Sequence, residues 1–330
     1  MPKKDKITDI LDKKILYQLD IDSRQTYSQI GKKLNKSPQF VKYRVEQLIN
    51  KGIINYFYPL VEFKALGYMC VSYYIKLQNI GLEKEKELIE YLYKKKNIQT
   101  LALGEGHFDI MITLFVKNIT ELEKTLSDIN TKFGEYFILF DNVFEMYNHK
   151  LNRSYLIDKK ELIETKPMGI LDKEVKLDDI DRKIISLLDI NARVSVLEIA
   201  KKMKSTSDIV IHRIKKLRKE EIIKQYSISI NNNKLGFPLY KLLLKMKNFA
   251  QEEQNKFLMY CVMHPNISFY RKCFGSWDIV LDIEIESRDR FRWLQKELKY
   301  KFNHIIHKTE STYVYQKIKE RSLPIEYVFE

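Results

Sequence analysis

Residues 26–54 read TYSQIGKKLNKSPQFVKYRVEQLINKGII. Thr26 can cap a short helix, and Gln29, three residues on, can cap back, which is the spacing of a capping box. Asn35-Lys36 interrupts that helix. Ser37-Pro38 then opens a second one, with Ser at the N-cap and Pro at the first helical position. Val41, Val45 and Leu48 recur at helical spacing and give it an inner face. Gln39, Lys42, Tyr43 and Arg44 fall on its other faces. Gly52 ends it, and an apolar IINYFY run follows. Two short helices joined by a tight turn, the second one basic, predict a helix-turn-helix with a following wing.

The same stretch occurs a second time. Residues 195–223, SVLEIAKKMKSTSDIVIHRIKKLRKEEII, place Ser195 and Glu198 as the capping box and Thr206 as the second cap. Val210, Ile214 and Leu217 form the inner face. The offset does not drift: 195 − 26, 206 − 37 and 217 − 48 all equal 169. It continues without a gap through Asp12 and Asp181, Leu19 and Leu188, Arg24 and Arg193, Gly67 and Gly236, Gly106 and Gly275, and Asp109 and Asp278. A self-similarity of that length makes the chain two tandem copies of one unit.

Each unit continues in the same way. In the first, residues 9–20 form a helix ahead of the helix-turn-helix, with Leu11, Ile15, Leu16 and Leu19 inward. After it come a strand at 68–77, a helix at 83–95, strands at 98–103 and 108–116 meeting at GEGH, a helix at 120–132 capped by Thr120, and a strand at 136–147. In the second, strands at 239–246, 267–273, 278–285 and 305–316 alternate with helices at 252–263 and 288–302, the middle strands meeting at FGSW. The order βαββαβ is the ferredoxin-like pattern. The predicted fold is α+β: two winged helix-turn-helix domains (1–58 and 176–227), each followed by a ferredoxin-like domain (60–150 and 230–318). A polar linker at 151–175, holding Pro167 and Gly169, joins the units, and 319–330 is a tail.

The 330 residues suffice for several cores. A net charge of +14 favours an anionic partner, with nucleic acid first and an acidic membrane second. The charge is local. Residues 29–55 carry six Lys/Arg against one Glu, and 198–224 carry nine against four acids, whereas 60–150 carry eleven against thirteen. The excess therefore gathers on the helix-turn-helix units. Three cysteines, Cys70, Cys261 and Cys273, lack metal spacing and a disulfide framework. They read as small buried hydrophobes of a reducing, cytoplasmic setting. The opening MPKKDKITDI has no apolar core for a signal peptide, and no run reaches the ~18 apolar residues of a membrane helix.

These residues resemble the leucine-responsive regulator (Lrp/AsnC) family of prokaryotic transcription regulators. That family's pattern runs LDxxDxxILxxLxxdaRxsxxelA, then LSxxxVxxRvxxLexxGvI, then an effector domain with a Gly-x-x-Asp signature. In unit two the matches are Leu177, Asp178, Asp181, Ile184, Leu188, Arg193, Ser195 and Ala200. In unit one they are Asp12, Ile15, Leu19, Arg24, Val41, Arg44, Leu48, Gly52 and Ile54. GHFD and GSWD supply the Gly-x-x-Asp signature. Two positions depart from the pattern: the Leu before the second cap is Lys36 or Ser205, and Glu221 stands where a helix-ending Gly is expected.

The resemblance implies a sequence-specific DNA-binding transcription regulator, not an enzyme, with no cofactor or metal. It would answer to a small molecule such as an amino acid and form a homo-oligomer through its effector domains, paired within or between chains. The second helix would enter the major groove of double-stranded DNA N-terminus first, bringing Ser37, Gln39, Lys42 and Tyr43 near the DNA, where Gln suits adenine and Lys guanine or phosphate. Their counterparts are Thr206, Asp208, Ile211 and His212, so the two half-sites should be unequal. Lys32, Lys33, Lys201 and Lys202 are expected phosphate contacts. Arg44 and Arg213 read either as phosphate contacts or as stems packed beside the inner stripe. In the turns, Gly104, Gly106, Asp109, Gly275 and Asp278 are candidate effector contacts, because glycine lets a carboxylate reach backbone N–H groups. The same turns read equally as tight hairpins.

One rival is enzymatic. Siroheme decarboxylases resemble the same family, and some fuse two such units. They carry a histidine-rich VTHNYxRxHxYN stretch, whereas the equivalent stretches here, NIQTLALGEGHFDI and NISFYRKCFGSWDI, hold one histidine, His107. A DNA-architectural protein without effector response is a third reading.

Overall fold

The computed structural model describes residues 8–157, 166–171, 175–247 and 250–329. Unit one runs α1 (Ile10–Ile21), α2 (Tyr27–Leu34), α3 (Pro38–Asn50), β1 (Ile54–Val61), β2 (Met69–Leu77), α4 (Leu82–Lys94), β3 (Ile98–Gly106), β4 (Ile110–Val116), α5 (Ile119–Phe133) and β5 (Phe137–Lys150). Unit two repeats it as α6 (Asp179–Ile190), α7 (Val196–Met203), α8 (Ser207–Lys219), β6 (Ile223–Ile230), α9 (Asn232–Leu235), β7 (Leu239–Met246), α10 (Gln251–Met263), β8 (Ile267–Gly275), β9 (Ile279–Glu284), α11 (Arg288–Lys301) and β10 (Ile306–Glu320). A short α12 (Ile325–Val328) follows.

Local signals explain the helix starts. The Thr26 hydroxyl accepts from the Gln29 N–H, and the Gln29 side chain accepts back from the Thr26 N–H at 2.8 Å, a complete capping box. In unit two only half the box forms: Ser195 accepts from the Glu198 N–H, while the Glu198 carboxylate pairs with Lys202 at 3.0 Å instead. The α5 cap is Asn118, not Thr120, and it accepts from the Glu121 N–H at 2.9 Å. Asn and Asp outrank Thr as caps, which is why the chain enters that helix earlier than expected.

Strand pairing departs from a simple tandem array. β1, the strand expected as a wing, pairs antiparallel with β6, its counterpart in the other unit. Tyr58 lies opposite Ser227, and 227 − 58 is again 169, so a pseudo-twofold axis passes between them. The two ferredoxin-like sheets, β3-β4-β2-β5 and β8-β9-β7-β10, are joined edge to edge by β5–β8 and β10–β3 into a closed eight-stranded barrel. The seams obey the same axis: Val143 faces Gly275, and Thr312 faces Gly106. The two effector-type domains therefore pair within one chain. Closure leaves no open sheet edge in the barrel, which removes the surface an edge strand would offer to another chain.

One apolar cluster is shared by both helix-turn-helix units and runs from Ile15 and Leu48 to Ile184 and Leu217. Two arginines brace those units across the axis. Arg24 donates to the carbonyls of Ala192 (2.6 Å) and Val194 (3.0 Å). Arg193 donates to those of Gln25 (3.0 Å) and Ser23, which are the equivalent positions.

The segment expected as a polar linker is packed where it is described. Leu151, Arg153, Tyr155, Leu156 and Met168 are buried. Arg153 sits between Asp20 of α1 and Glu284 of β9, which explains why the chain cannot run free there. Residues 158–165 and 172–174 of that segment lie outside the described residues. The tail is likewise docked: Tyr68 donates to the Val328 carbonyl at 3.2 Å and Tyr327 to the Glu121 carboxylate.

Candidate nucleic-acid interface

The turn of each helix-turn-helix puts a non-glycine residue into the left-handed region, Asn35 at φ 53° and Lys204 at φ 52°. That conformation ends α2 and α7 sharply and lets the next helix start two residues later. Ser37 accepts from the Phe40 N–H at 3.2 Å, and Thr206 accepts from the Ile209 N–H. Val41, Val45 and Leu48 point inward as the periodicity requires. The opposite face of α3 leaves Ser37, Gln39, Lys42 and Tyr43 exposed, with Lys32 and Lys33 exposed beside them. In unit two Thr206, Asp208, Ile211 and His212 are exposed, as are Lys201 and Lys202. Each expected reading group is thus gathered on one solvent face.

Several of the lysines already have local partners. Lys33 donates to the side chains of Gln18 (2.9 Å) and Gln25 (2.7 Å). Lys42 lies 3.8 Å from Glu46 on its own helix. The exposed Lys42–Glu46 pair is weak, so a phosphate can displace it.

Of the two readings of Arg44 and Arg213, the packed one has direct contacts in the fold: each is ion-paired within its own unit. Arg44 Nη1 is 2.9 Å from Asp9 and 3.1 Å from Asp12. Arg213 Nη1 makes the equivalent pairs with Asp178 (2.5 Å) and Asp181 (3.3 Å). Asp12 and Asp181 are buried, so each Arg neutralises a carboxylate that has little water. The Asp181 N–H and then the Arg213 guanidinium hold the Asp178 carboxyl below the usual carboxylate range. Through Nη1 the arginines pin the second helix to the first helix of each unit.

The turn residues expected to touch an effector lie at the barrel seams and in the hairpins. A Cβ on Gly104 would stand 2.3 Å from Thr312 Cγ2, and one on Gly275 would stand 2.5 Å from the Asn142 carbonyl oxygen. Gly106 and Gly275 have φ +130° and +134°, a backbone that side chains rarely adopt. Asp109 pairs with Lys76 at 2.7 Å and accepts from the Leu77 N–H at 2.9 Å. Asp278 does the same with Lys245 (3.1 Å) and the Met246 N–H (2.7 Å). Each of the five thus has a structural contact at a seam or in a hairpin.

A cavity of about 160 Å³ occupies the barrel lumen, and no motif along the chain marks it. Both sheets line it, and so do Tyr56, Tyr58, Ser229 and Ile230 of the β1–β6 pair. Its charged groups come mostly from unit two. Lys241 pairs with Asp282 at 2.6 Å, and Arg271 pairs with the same carboxylate at 3.0 Å while lying 3.6 Å from Glu145. Burial alone would raise the Asp282 carboxyl, but Arg271 and Lys241 outweigh it and hold it well below the usual range. Arg153 pairs with Glu284 at 2.8 Å, and Tyr155 donates to Glu284 at 2.6 Å. The signal in the sequence is the acids of LDIE, charges within an otherwise apolar strand, but of their partners only Arg271 is near in the chain, with Lys241 and Arg153 41 and 131 positions away from theirs.

Residues 177–218 match the AsnC-type helix-turn-helix domain, and residues 8–55 match a winged helix-turn-helix DNA-binding domain. An HTH-type transcriptional regulator of Pyrococcus furiosus is 36% identical over 121 residues, which span 36% of this chain and 80% of that relative. The chain belongs to the Lrp/AsnC family of transcription regulators. LrpC of Bacillus subtilis, another HTH-type transcriptional regulator, is 34% identical over 113 residues, 34% of this chain and 77% of LrpC. Each of these Lrp/AsnC relatives is matched along most of its own length by about a third of this chain, as expected if a relative corresponds to one of the two units. Over the whole chain the fold is similar to the siroheme decarboxylase NirDL: TM-score 0.62, 14% identity, covering 94% of this chain and 93% of that one. At that identity the likeness describes the two-unit Lrp/AsnC-type fold alone. No helix among the described residues is long and apolar enough to cross a membrane.

Proposed function

We propose that this chain is a DNA-binding transcription regulator that reads two unequal half-sites with two helix-turn-helix units held in one polypeptide. The observation that carries the reading is the pair of exposed faces on α3 and α8, set in units that Arg24 and Arg193 brace across the pseudo-twofold axis. Gln39 can read adenine bidentately, whereas Asp208 at the equivalent place accepts from cytosine and repels phosphate. The half-sites would lie about one helical turn apart. Selection of bound sequences from random DNA, with and without amino acids, tests this. The expected result is an asymmetric bipartite site bound by one chain. Preference for a perfect palindrome, or one half-site per chain, would overturn it.

The seat the fold offers for a small-molecule effector is the lumen cavity rather than the GEGH and FGSW turns. A molecule there would touch both sheets and the strand pair that joins the two DNA-reading units. Whole chains, whose barrel edges are used internally, would associate through the helical faces of the effector-type domains.

The second reading, a siroheme decarboxylase-like enzyme, rests on the whole-chain fold likeness to NirDL. Against it stand the small cavity and its lining, which holds no histidine among the described residues. His107 lies in a turn, 3.3 Å from Glu310. Mixing the protein with siroheme and following the haem-type absorption separates the two: spectral change with product formation would favour the enzyme.

A further inference from the structure

The two units share a fold but not a surface. Residues 230–318 carry fifteen Lys/Arg against nine Asp/Glu, whereas residues 60–150 carry eleven against thirteen. Much of the difference lies on one helix. α11 holds six Lys/Arg and two acids, while its counterpart α5 holds two and three.

The arrangement on α11 is specific. Phe291, Leu294 and Leu298 bury one side against the sheet. Trp293, Lys296 and Tyr300, at spacings of three and seven, share the opposite face, with Arg292 and Lys299 in a row beside them. Trp293 is 61% exposed and Tyr300 85%. With ~1.5 Å rise per residue the two rings stand about 10 Å apart along the axis, with a cation between them. Among the described residues, Arg292, Lys296 and Lys299 are in no ion pair. The five counterparts in α5 are Glu123, Lys124, Ser127, Asn130 and Thr131. The fold therefore requires neither exposed rings nor these cations at this helix, since unit one builds the same helix on the same sheet without them.

We propose that the outer face of α11 is a second nucleic-acid contact, which binds a single-stranded polynucleotide by stacking bases on Trp293 and Tyr300 and pairing phosphates with Arg292, Lys296 and Lys299. Exposed aromatic faces interleaved with cations are the groups such strands use, and stacking needs bases that are free of a duplex. A bilayer fits less well, because the exposed face offers no Leu, Ile or Phe to insert. The site is separate from the helix-turn-helix faces and does not depend on their reading.

The protein carries its own reporter. Of its two tryptophans, Trp277 is buried and donates to Asp141, so Trp293 is the exposed one. Titrating the full chain with oligothymidylate and oligouridylate of about 12 nucleotides should quench tryptophan emission. The Trp293→Phe variant should lose the quench. The Arg292→Ala/Lys296→Ala/Lys299→Ala variant should bind at least tenfold more weakly, with its salt slope lower by about 2, at ~0.7 for each single-strand contact. A variant with Lys32, Lys33, Lys201 and Lys202 changed to Ala should keep the quench, which separates this site from duplex recognition. Unchanged thermal midpoints would establish that the variants are folded. No quench at saturating oligonucleotide would overturn the proposal. So would an equal response to polyglutamate, or a blue shift seen only with phosphatidylserine vesicles.

Discussion

The duplication turns single residues into internal controls. Asp20 and its counterpart Asp189 are both buried, at 0% and 2% exposure. Burial would raise both carboxyls. Around Asp20 the charges of Lys150 and Arg153 outweigh it, and the group is held below its ordinary range. In unit two Ser322 stands in place of Arg153, and Lys319 turns away to the Lys95 carbonyl at 2.9 Å. Burial outweighs the Leu323 N–H at 3.2 Å and the Arg321 charge, and the Asp189 carboxyl is pushed up to about 7. The folded chain thus binds a proton that the unfolded chain has already released. Stability should fall as pH rises from about 4 through 7, and the full penalty applies above that. Asp189→Asn keeps the acceptor and removes the charge. Its unfolding free energy should match the parent near pH 4 and exceed it at pH 9, by a difference on the order of 4 kcal/mol. Urea unfolding at both pH values measures this, and parallel pH profiles would refute it. Arg44 gives a second test. Arg44→Ala strands the buried Asp12 carboxylate and should cost roughly 1–2 kcal/mol, given partial exposure of the pair. The salt slope of DNA binding should stay unchanged if pairing with Asp9 and Asp12 is what Arg44 does. A slope lower by about 0.9 would return Arg44 to the phosphate contacts.

At the level of elements, the recognition helices differ in what they present and not in how they are held. α3 and α8 have the same inner stripe, the same cap geometry and the same Arg anchor. Grafting the second reading set onto the first, as Gln39→Asp with Tyr43→His, should therefore leave the fold intact and make the preferred operator more symmetric. Sequence selection with the grafted chain measures that. A motif unchanged from the parent's would show that these side chains do not read bases. Turn chemistry offers a further test. Lys204 ends α7 in the left-handed region, where only glycine is free of steric cost, so Lys204→Gly should stabilise by about 0.5–1 kcal/mol in thermal unfolding. The helices and strands were legible along the chain because caps and periodicity are written within a few neighbouring residues. Thr26 with Gln29 and the Val41–Val45–Leu48 stripe are cases where the signal is complete on the page. Pairing partners were not legible. Nothing near residues 54–61 states that β1 will join β6 rather than fold as a wing within its own unit. Arg153 sat in a stretch read as linker, because its partners Asp20 and Glu284 lie more than 130 positions away on either side. Candidate sites divided the same way. Solvent-facing positions such as Gln39 and His212 follow from helical phase, whereas the tertiary use of Arg44, Gly104 and Asp109 depends on contacts between distant segments.

For the whole molecule, the consequence of two units in one chain is a fixed spacing. Three features hold the DNA-reading units relative to each other: the β1–β6 pair, the shared apolar cluster and the reciprocal arginine braces. Each brace spends a charged donor on two backbone carbonyls of the other unit, and charge-assisted bonds of this kind contribute about 1.5–3 kcal/mol. Removing both braces while leaving the strands and the cluster should loosen the spacing without separating the units. A rigid pair binds two half-sites well only when they present the same face of the duplex, one turn of about 10 base pairs apart. An operator with about 5 extra base pairs between its half-sites puts them on opposite faces. The parent chain should lose most of its affinity for that operator, retaining the binding of one unit. The Arg24→Ala/Arg193→Ala variant should bind the natural spacing more weakly than the parent and show a smaller ratio between the two operators, since a looser linkage lowers effective concentration at the right spacing and relaxes discrimination. Affinity for an isolated half-site should be the same in both proteins, because neither arginine lies on a recognition helix. Measuring the three operators by anisotropy at one salt concentration decides the matter. If parent and variant discriminate equally between spacings, the strand pair and apolar cluster alone set the geometry, and the braces contribute only stability.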